Sequence, residues 1–289
     1  MEPPLSVVVE RGGAVEARHR VHAVAVRDGQ VVESRGDPDL VTHMRSAAKP
    51  LQALPLALEE RDLPDEELAI ASASHVATPE QLAAVRALLG RSRSTEADLE
   101  CGEKQGSKLA HNCSGKHAGM LLRAKRHAWP LPGYRLPGHP VQREILELVA
   151  AASGIPGAEL GLATDGCGVV TFAVPIRALA LAFARMASGE LPGAGRVLAA
   201  MRARPDLIGG PGKSDTSLMA ALPGAVAKRG AEGVLCLALP DGTGFAFKVE
   251  DGGDRAALSA AAAVLGVDEI REQPLRNSRG ETVGRISPS

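Results

Sequence analysis

The sequence predicts an α/β (α+β) fold in which strands from both ends of the chain share a sheet and helices lie between them. Two observations carry this. β-branched runs with hairpin turns open the chain and recur near its end, and the intervening text repeats its apolar residues at a period near 3.6. Strands that bracket helices bury their apolar face by closing into one sheet with the helices packed on it.

Taken in order, residues 5–10 and 21–26 are β-branched runs split by Gly12-Gly13, and Asp28-Gly29 supplies a hairpin turn before residues 30–33. This reads as an antiparallel meander. Helical text covers 47–59. Thr78-Pro79-Glu80 then opens a helix over 81–89, with Thr78 as cap and Pro79 in the first turn. A polar segment, 101–117, launches a helix that runs to about His127, and a Pro- and Gly-rich loop follows to Pro140. Residues 141–152 and 176–187 are helical by period. Residues 233–239 and 244–250 flank the Asp241-Gly242 turn as a hairpin, and 255–265 is a closing helix. The expectation is one domain over 1–289, with terminal strands (5–34 and 225–250) in a common sheet and a helical region of about 45–205.

Composition narrows the function classes. The 289 residues carry 33 Lys+Arg against 34 Asp+Glu, a net charge of −1, which lacks the basic footprint of a nucleic-acid binder. Apolar residues make up 45%, too many for a disordered chain. One Trp, one Tyr and four Phe leave an aliphatic core and few surfaces for stacking bases. Cys101, Cys113, Cys167 and Cys236 are scattered without a CxxC, so they do not form a disulfide scaffold. The N-terminus shows no secretory signal, and no apolar stretch reaches the ~20 residues of a membrane span. A cytoplasmic protein with reduced thiols, away from membranes, is expected.

Several segments could carry chemistry. In Arg45-Ser46-x-x-Lys49-Pro50, Ser46 and Lys49 fall on one face of a first helical turn. Backbone N–H groups there can stabilise an oxyanion, and a lysine of lowered pKa can take the hydroxyl proton. On spacing alone an N-cap serine with a solvated lysine is the better reading, because Ser-x-x-Lys is a common accident. His111-Asn112-Cys113-Ser114-Gly115-Lys116-His117 is denser in polar groups than packing requires. Thr164-Asp165-Gly166-Cys167-Gly168 presents a carboxylate and a thiol on a small-residue turn. Cys113 and Cys167 could share a soft divalent ion such as zinc, or be ordinary buried cysteines. Ser74, in Ala73-Ser74-His75, is a second hydroxyl. Lys248, beside Gly244 and Ala246 on one strand face, could meet it or be a solvated edge lysine. Gly212-Lys213-Ser214 is not a P-loop: Leu207 stands where its first glycine belongs.

Together these segments resemble the bacterial L-asparaginase II family of the rhizobial type. The resemblance runs collinearly through Arg45-Ser46-x-x-Lys49-Pro50-x-Gln52, Ala73-Ser74-His75, Cys101-Gly102, the 111–117 segment and His139-Pro140-x-Gln142. It continues through Asp165-Gly166-Cys167-Gly168, Lys228-x-Gly230-Ala231-Glu232-Gly233-Val234 and Gly242-x-Gly244-x-Ala246-x-Lys248. It implies a β-lactamase- or penicillin-binding-protein-like sheet of largely antiparallel strands with helices on both faces, a homodimer, and hydrolysis of L-asparagine to L-aspartate and ammonia. Two Ser-Lys tandems are implied, Ser46–Lys49 and Ser74–Lys248, together with a zinc held by Cys113, Lys116, Cys167 and water. Arg45 and Asp165 suit the carboxylate and ammonium ends of the substrate zwitterion, and His117 is within reach of the same site by sequence.

The implied mechanism is acyl transfer: Ser46 attacks the side-chain amide, neutral Lys49 takes its proton, and Ser74 and Lys248 relay protons. Zinc orients the substrate, because two thiolates weaken its Lewis acidity. Two rivals share part of the pattern. A β-lactamase or peptidase would keep Ser46-x-x-Lys49, with Ser214-Asp215-Thr216 resembling a Ser-Asp-Asn element, but Asp241-Gly242-Thr243-Gly244 offers no Lys-Thr-Gly. A non-catalytic, zinc-dependent amino-acid-binding protein would keep Cys113, Lys116, Cys167 and Asp165 without needing both tandems.

Overall fold

The N-terminal β-branched runs form β1 (Leu5–Arg11), β2 (Ala14–Arg27) and β3 (Gln30–Arg35), followed by β4 (Val41–His43), in a computed structural model that describes residues 2–289. A 3-10 turn (Arg45–Ala48) leads into α1 (Lys49–Gln52) and α2 (Leu54–Glu59); then come α3 (Asp65–Ala71), α4 (Pro79–Arg91), α5 (Ser114–Arg126) and α6 (Pro140–Ser153). The hairpin β5 (Gly161–Thr164) and β6 (Val170–Pro175) precedes α7 (Ile176–Ser188), α8 (Ala194–Ala203), α9 (Pro205–Ile208) and α10 (Ser214–Ala221). The chain ends with β7 (Val226–Arg229), β8 (Val234–Ala238), β9 (Gly244–Val249), α11 (Arg255–Leu265), β10 (Gln273–Arg276) and β11 (Thr282–Pro288).

The helical run expected over 47–59 is divided. Pro50 and Pro55 each sit in the first turn of a short helix, where a missing N–H costs nothing, and the chain restarts at Ala53. Thr78 caps α4 in a full capping box with Gln81. The closing helix α11 is not the end of the sheet. β10 and β11 follow it, and β11 pairs antiparallel with β1, from Val7 opposite Pro288 to Arg11 opposite Gly284.

The main sheet runs β10-β11-β1-β2-β9-β8-β7, with β3 added on β2, and every pairing in it is antiparallel. Both chain ends therefore share one sheet. α7 covers one face and α11 the other. A Cβ on Gly244 of β9 would lie 2.2 Å from the Ala180 carbonyl oxygen, so glycine is what lets α7 pack onto the strand backbone. Ala256, Ala257, Ala260, Ala261 and Ala262 of α11 are buried, and Phe172, Phe183, Phe247 and Tyr134 are fully buried among the aliphatics. A small second sheet, β4-β6-β5, lies within the helical region. Two placements matter for function: β7 is an edge strand, and the 3-10 turn after β4 lies against β6, β7 and β8. Among the described residues, no helix is long and apolar enough to cross a membrane.

Candidate active site

Three local structures converge at the edge formed by β7. In the first, the pairing of β4 with β6 continues as Met44 N–H to Phe172 O (2.8 Å) and Arg45 N–H to Thr171 Oγ1 (3.1 Å). Arg45 is held at φ +49°, a conformation that costs a non-glycine residue about 1–3 kcal/mol and here sets the 3-10 turn carrying Ser46. In the second, the β5–β6 hairpin turn closes by Asp165 N–H to Val169 O and Gly168 N–H to Asp165 O, both 2.8 Å, and presents Asp165 and Cys167. In the third, α5 starts against the end of α3. A Cβ on Gly115 would fall 2.1 Å from Ile70 O, so glycine permits Cys113 and Lys116 to lie beside the strand-like Ala73-Ser74-His75 segment.

At the centre is a buried chain of side chains. Lys49 Nζ donates to Ala73 O (2.5 Å), Asn112 O (3.2 Å) and Ser74 Oγ (3.0 Å). Lys228 Nζ donates to the same Ser74 Oγ (2.9 Å), to Arg229 O (2.9 Å) and to Asp215 Oδ2 (3.3 Å). Lys49, Lys228 and Asp215 are wholly excluded from solvent, and Ser74 is nearly so. Burial lowers the Lys49 pKa, opposed by the Cys113 sulfur. Burial likewise pushes Lys228 down to about 7, against the pull of Asp215. His75 holds this segment in place: its Nε2 bonds Ser114 Oγ (2.8 Å), whose hydroxyl donates to Leu109 O (2.8 Å). Burial and the Lys49 charge bring His75 down to about 3, so it is neutral. Ser46 is partly exposed, one turn before Lys49, and among the described residues its hydroxyl has no hydrogen-bond partner.

Lys248 does not reach Ser74. Its amine donates to Glu232 O (2.6 Å) and to Val249 O. The register explains this: on β9 it lies opposite Val234 of β8, with the edge strand β7 one further strand away, about 10 Å at ordinary strand spacing. The lysine on the edge strand is Lys228, which the sequence reading had not assigned. A signal for it existed in Lys228-Arg229-Gly230, a Lys-x-Gly with arginine in place of threonine, and in Asp215 of Ser214-Asp215-Thr216.

Cys113, Lys116 and Cys167 come together. Lys116 Nζ is 3.1 Å from Cys167 Sγ, and all three side chains are buried, with both thiols free. A hydrogen bond from Cys167, with Lys49 and Lys116 nearby, holds the Cys113 thiol well below its usual range. Two soft sulfurs and one amine on two segments form a donor set that suits zinc, with room in its tetrahedron for water. Among the described residues no cluster of three or more His, Cys, Asp or Glu side chains is arranged to hold a metal, so a lysine would have to complete this one.

Arg45 and Asp165 are joined by an ion pair, Nε to Oδ1 at 2.6 Å, and the guanidinium stays partly exposed. His117 is fully buried behind the sulfurs rather than open to a ligand. The Tyr134 hydroxyl accepts from Glu100 N–H (2.8 Å) and is hydrogen-bonded to His117 Nδ1 (2.6 Å). His117 Nε2 has no partner. Cys101 lies close by, its thiol directed at Lys108 O.

A family model described as L-asparaginase II matches residues 7–288. A comparison with curated proteins gives no match. Among solved structures, Mglu in its native form superposes with a TM-score of 0.51 and 15% identity, over 86% of this chain and 64% of that one. Mglu in its glutamate form gives 0.52 and 16%, over 87% and 61%. The chain thus spans less than two thirds of the length of these two structures. A penicillin-binding protein homologue from Pyrococcus abyssi gives 0.46 and 14%, over 85% and 73%.

Proposed function

This chain belongs to the L-asparaginase II family, and we propose that it hydrolyses the side-chain amide of L-asparagine to L-aspartate and ammonia by Ser-Lys acyl transfer. The observation that carries the reading is the Ser74 hydroxyl held between two buried lysines, one of which, Lys49, follows the partly exposed Ser46 by one helical turn. A buried lysine is a base only where desolvation has weakened its hold on the proton, and Lys49 meets that condition.

In the proposed sequence Ser46 Oγ attacks the amide carbon and its proton passes to Lys49. The C–N bond breaks as the leaving nitrogen is protonated through Ser74 and Lys228, and ammonia departs. Water then cleaves the ester: its hydroxyl goes to the acyl carbon and its proton to Lys228, Lys49 returns its proton to Ser46 as the C–O bond breaks, and the product acid releases its proton to give the carboxylate. Lys228 takes the place first expected for Lys248. Arg45 and Asp165, paired with each other, would exchange that bond for the α-carboxylate and α-ammonium of the amino acid. Cys113, Lys116 and Cys167 would hold zinc, which when bound supplies an electrophilic anchor that orients the substrate.

The test is ammonia release from asparagine and from glutamine, with metal analysis on the same preparation. Wild type should release ammonia from asparagine, and Ser46→Ala should lower turnover by at least about a hundredfold. No ammonia from either amide would refute the reading.

A further inference from the structure

We propose that Asp215 is a positioning residue that keeps the positive charge on Lys228 and thereby turns the Ser74 hydroxyl proton away from Lys228. The inference rests on the Ser-Lys reading above and deepens it.

The argument begins from donor counting. An ammonium has three N–H bonds and no lone pair, whereas a neutral amine has two N–H bonds and one lone pair. Lys228 Nζ has three acceptors around it: Ser74 Oγ at 2.9 Å, Arg229 O at 2.9 Å and Asp215 Oδ2 at 3.3 Å. Three acceptors fill an ammonium. As an ammonium, Lys228 can only donate to Ser74, so the serine proton must point away from Lys228. As a neutral amine, Lys228 would accept that proton and reverse the bond. The charge state of Lys228 therefore decides the direction of the relay.

The groups facing the Lys228 amine divide clearly. Ser74 follows α3, Lys49 comes from α1, and Cys236 stands opposite Lys228 on β8. Cys236 is a buried thiol whose pKa is raised by burial, so it brings no charge. Lys49 and Arg229 oppose a charge on Lys228, as does burial. Asp215, at the first turn of α10 and fully buried, is the carboxylate in contact with it. Its other oxygen is fixed by Thr216 N–H (3.1 Å), and Arg229 Nε is 3.7 Å away. This carboxylate is thus locked in place, and it touches neither Ser46 nor Ser74 through its recorded hydrogen bonds.

Asp215→Asn keeps the shape and removes the charge. The decisive measurement is lysine side-chain NMR on labelled protein, with the Lys228 signal assigned by Lys228→Met. In wild type at pH 6 the signal should be that of an ammonium, and in Asp215→Asn its titration should move to lower pH by about 1–3 units. The pH profile of ammonia release should follow: the alkaline limb of kcat/KM moves down by the same amount, and Asp215→Asn regains activity toward acid pH. A merely structural aspartate would instead lower activity alike at every pH and leave the Lys228 titration unmoved, which would overturn the proposal. If Asp215→Asn does not fold, a neutral Lys228 in wild type at pH 6 would still overturn it, and an ammonium there would support it. Because the NMR arm needs no substrate, absence of amidase activity would refute the functional reading without deciding this one.

Discussion

Replacing Lys228 with methionine should cost stability as well as activity, and the two losses can be separated. Lys228 and Asp215 are both fully buried and 3.3 Å apart. Removing the lysine leaves a buried carboxylate whose remaining cation, Arg229, is 3.7 Å from the other oxygen. Breaking a buried pair from one side typically costs about 3–5 kcal/mol, and the residual contact with Arg229 places the expectation near the lower end, about 3 kcal/mol. Asp215→Asn should cost less, because a buried lysine can shed its proton whereas methionine gives the aspartate nothing. The double variant Lys228→Met/Asp215→Asn should recover most of the stability lost by Lys228→Met. Urea unfolding of the four proteins gives the coupling free energy directly. Activity should not recover: ammonia release ought to remain about 10²–10⁴-fold below wild type, since the proton relay is gone. A coupling below about 0.5 kcal/mol, or restored turnover in the double variant, would refute the reasoning.

Further outcomes follow from the same geometry. Burial lowers the folded-state pKa of Lys228 to about 7 from 10.5. Between those values the unfolded chain binds a proton that the folded one does not, so this group makes stability rise with pH across about 7 to 10.5. Lys228→Met/Asp215→Asn should flatten that slope in chemical unfolding at stepped pH. Gly115→Ala places a Cβ 2.1 Å from Ile70 O and should destabilise by about 1–3 kcal/mol through overpacking, read as a lowered Tm. Cys113→Ser should lose bound zinc by elemental analysis, and chelation of wild type should raise KM more than it lowers kcat. Turnover abolished at saturating substrate with binding intact would contradict an orienting role.

Much of the fold was legible because local chemistry decided it. The Thr78 cap started α4, β-branched runs made β1 and β2, the period of 3.6 located α6 and α7 to within a residue or two, and the closing helix α11 lies where the sequence placed it. Residues close together in sequence were also legible as groups: Cys113 with Lys116 on one helical turn, and Asp165 with Cys167 on one hairpin. The helix over 47–59 was read too long because its prolines restart a helix as readily as they open one. β10 and β11 were missed because their short, half-exposed text acquires strand character only by pairing with β1.

What the sequence by itself determined is the inventory: a near-neutral, aliphatic α/β chain with the serines, lysines, thiols and charged pair that the proposed amide hydrolysis would use. Only the tertiary structure decided which lysine meets Ser74. Lys228 and Lys248 both lie on strands beside small or apolar neighbours, and in the local text only the Lys-x-Gly of Lys228-Arg229-Gly230 separates them. Sheet order ranks them, since β7 is the edge strand, against α10 and the 3-10 turn that leads into α1, while β9 is interior. The roles of Asp215 and His75 are decided in the same way. A buried charge or a neutral histidine takes its meaning from the groups that exclude water around it, and those groups come from parts of the chain far apart in sequence.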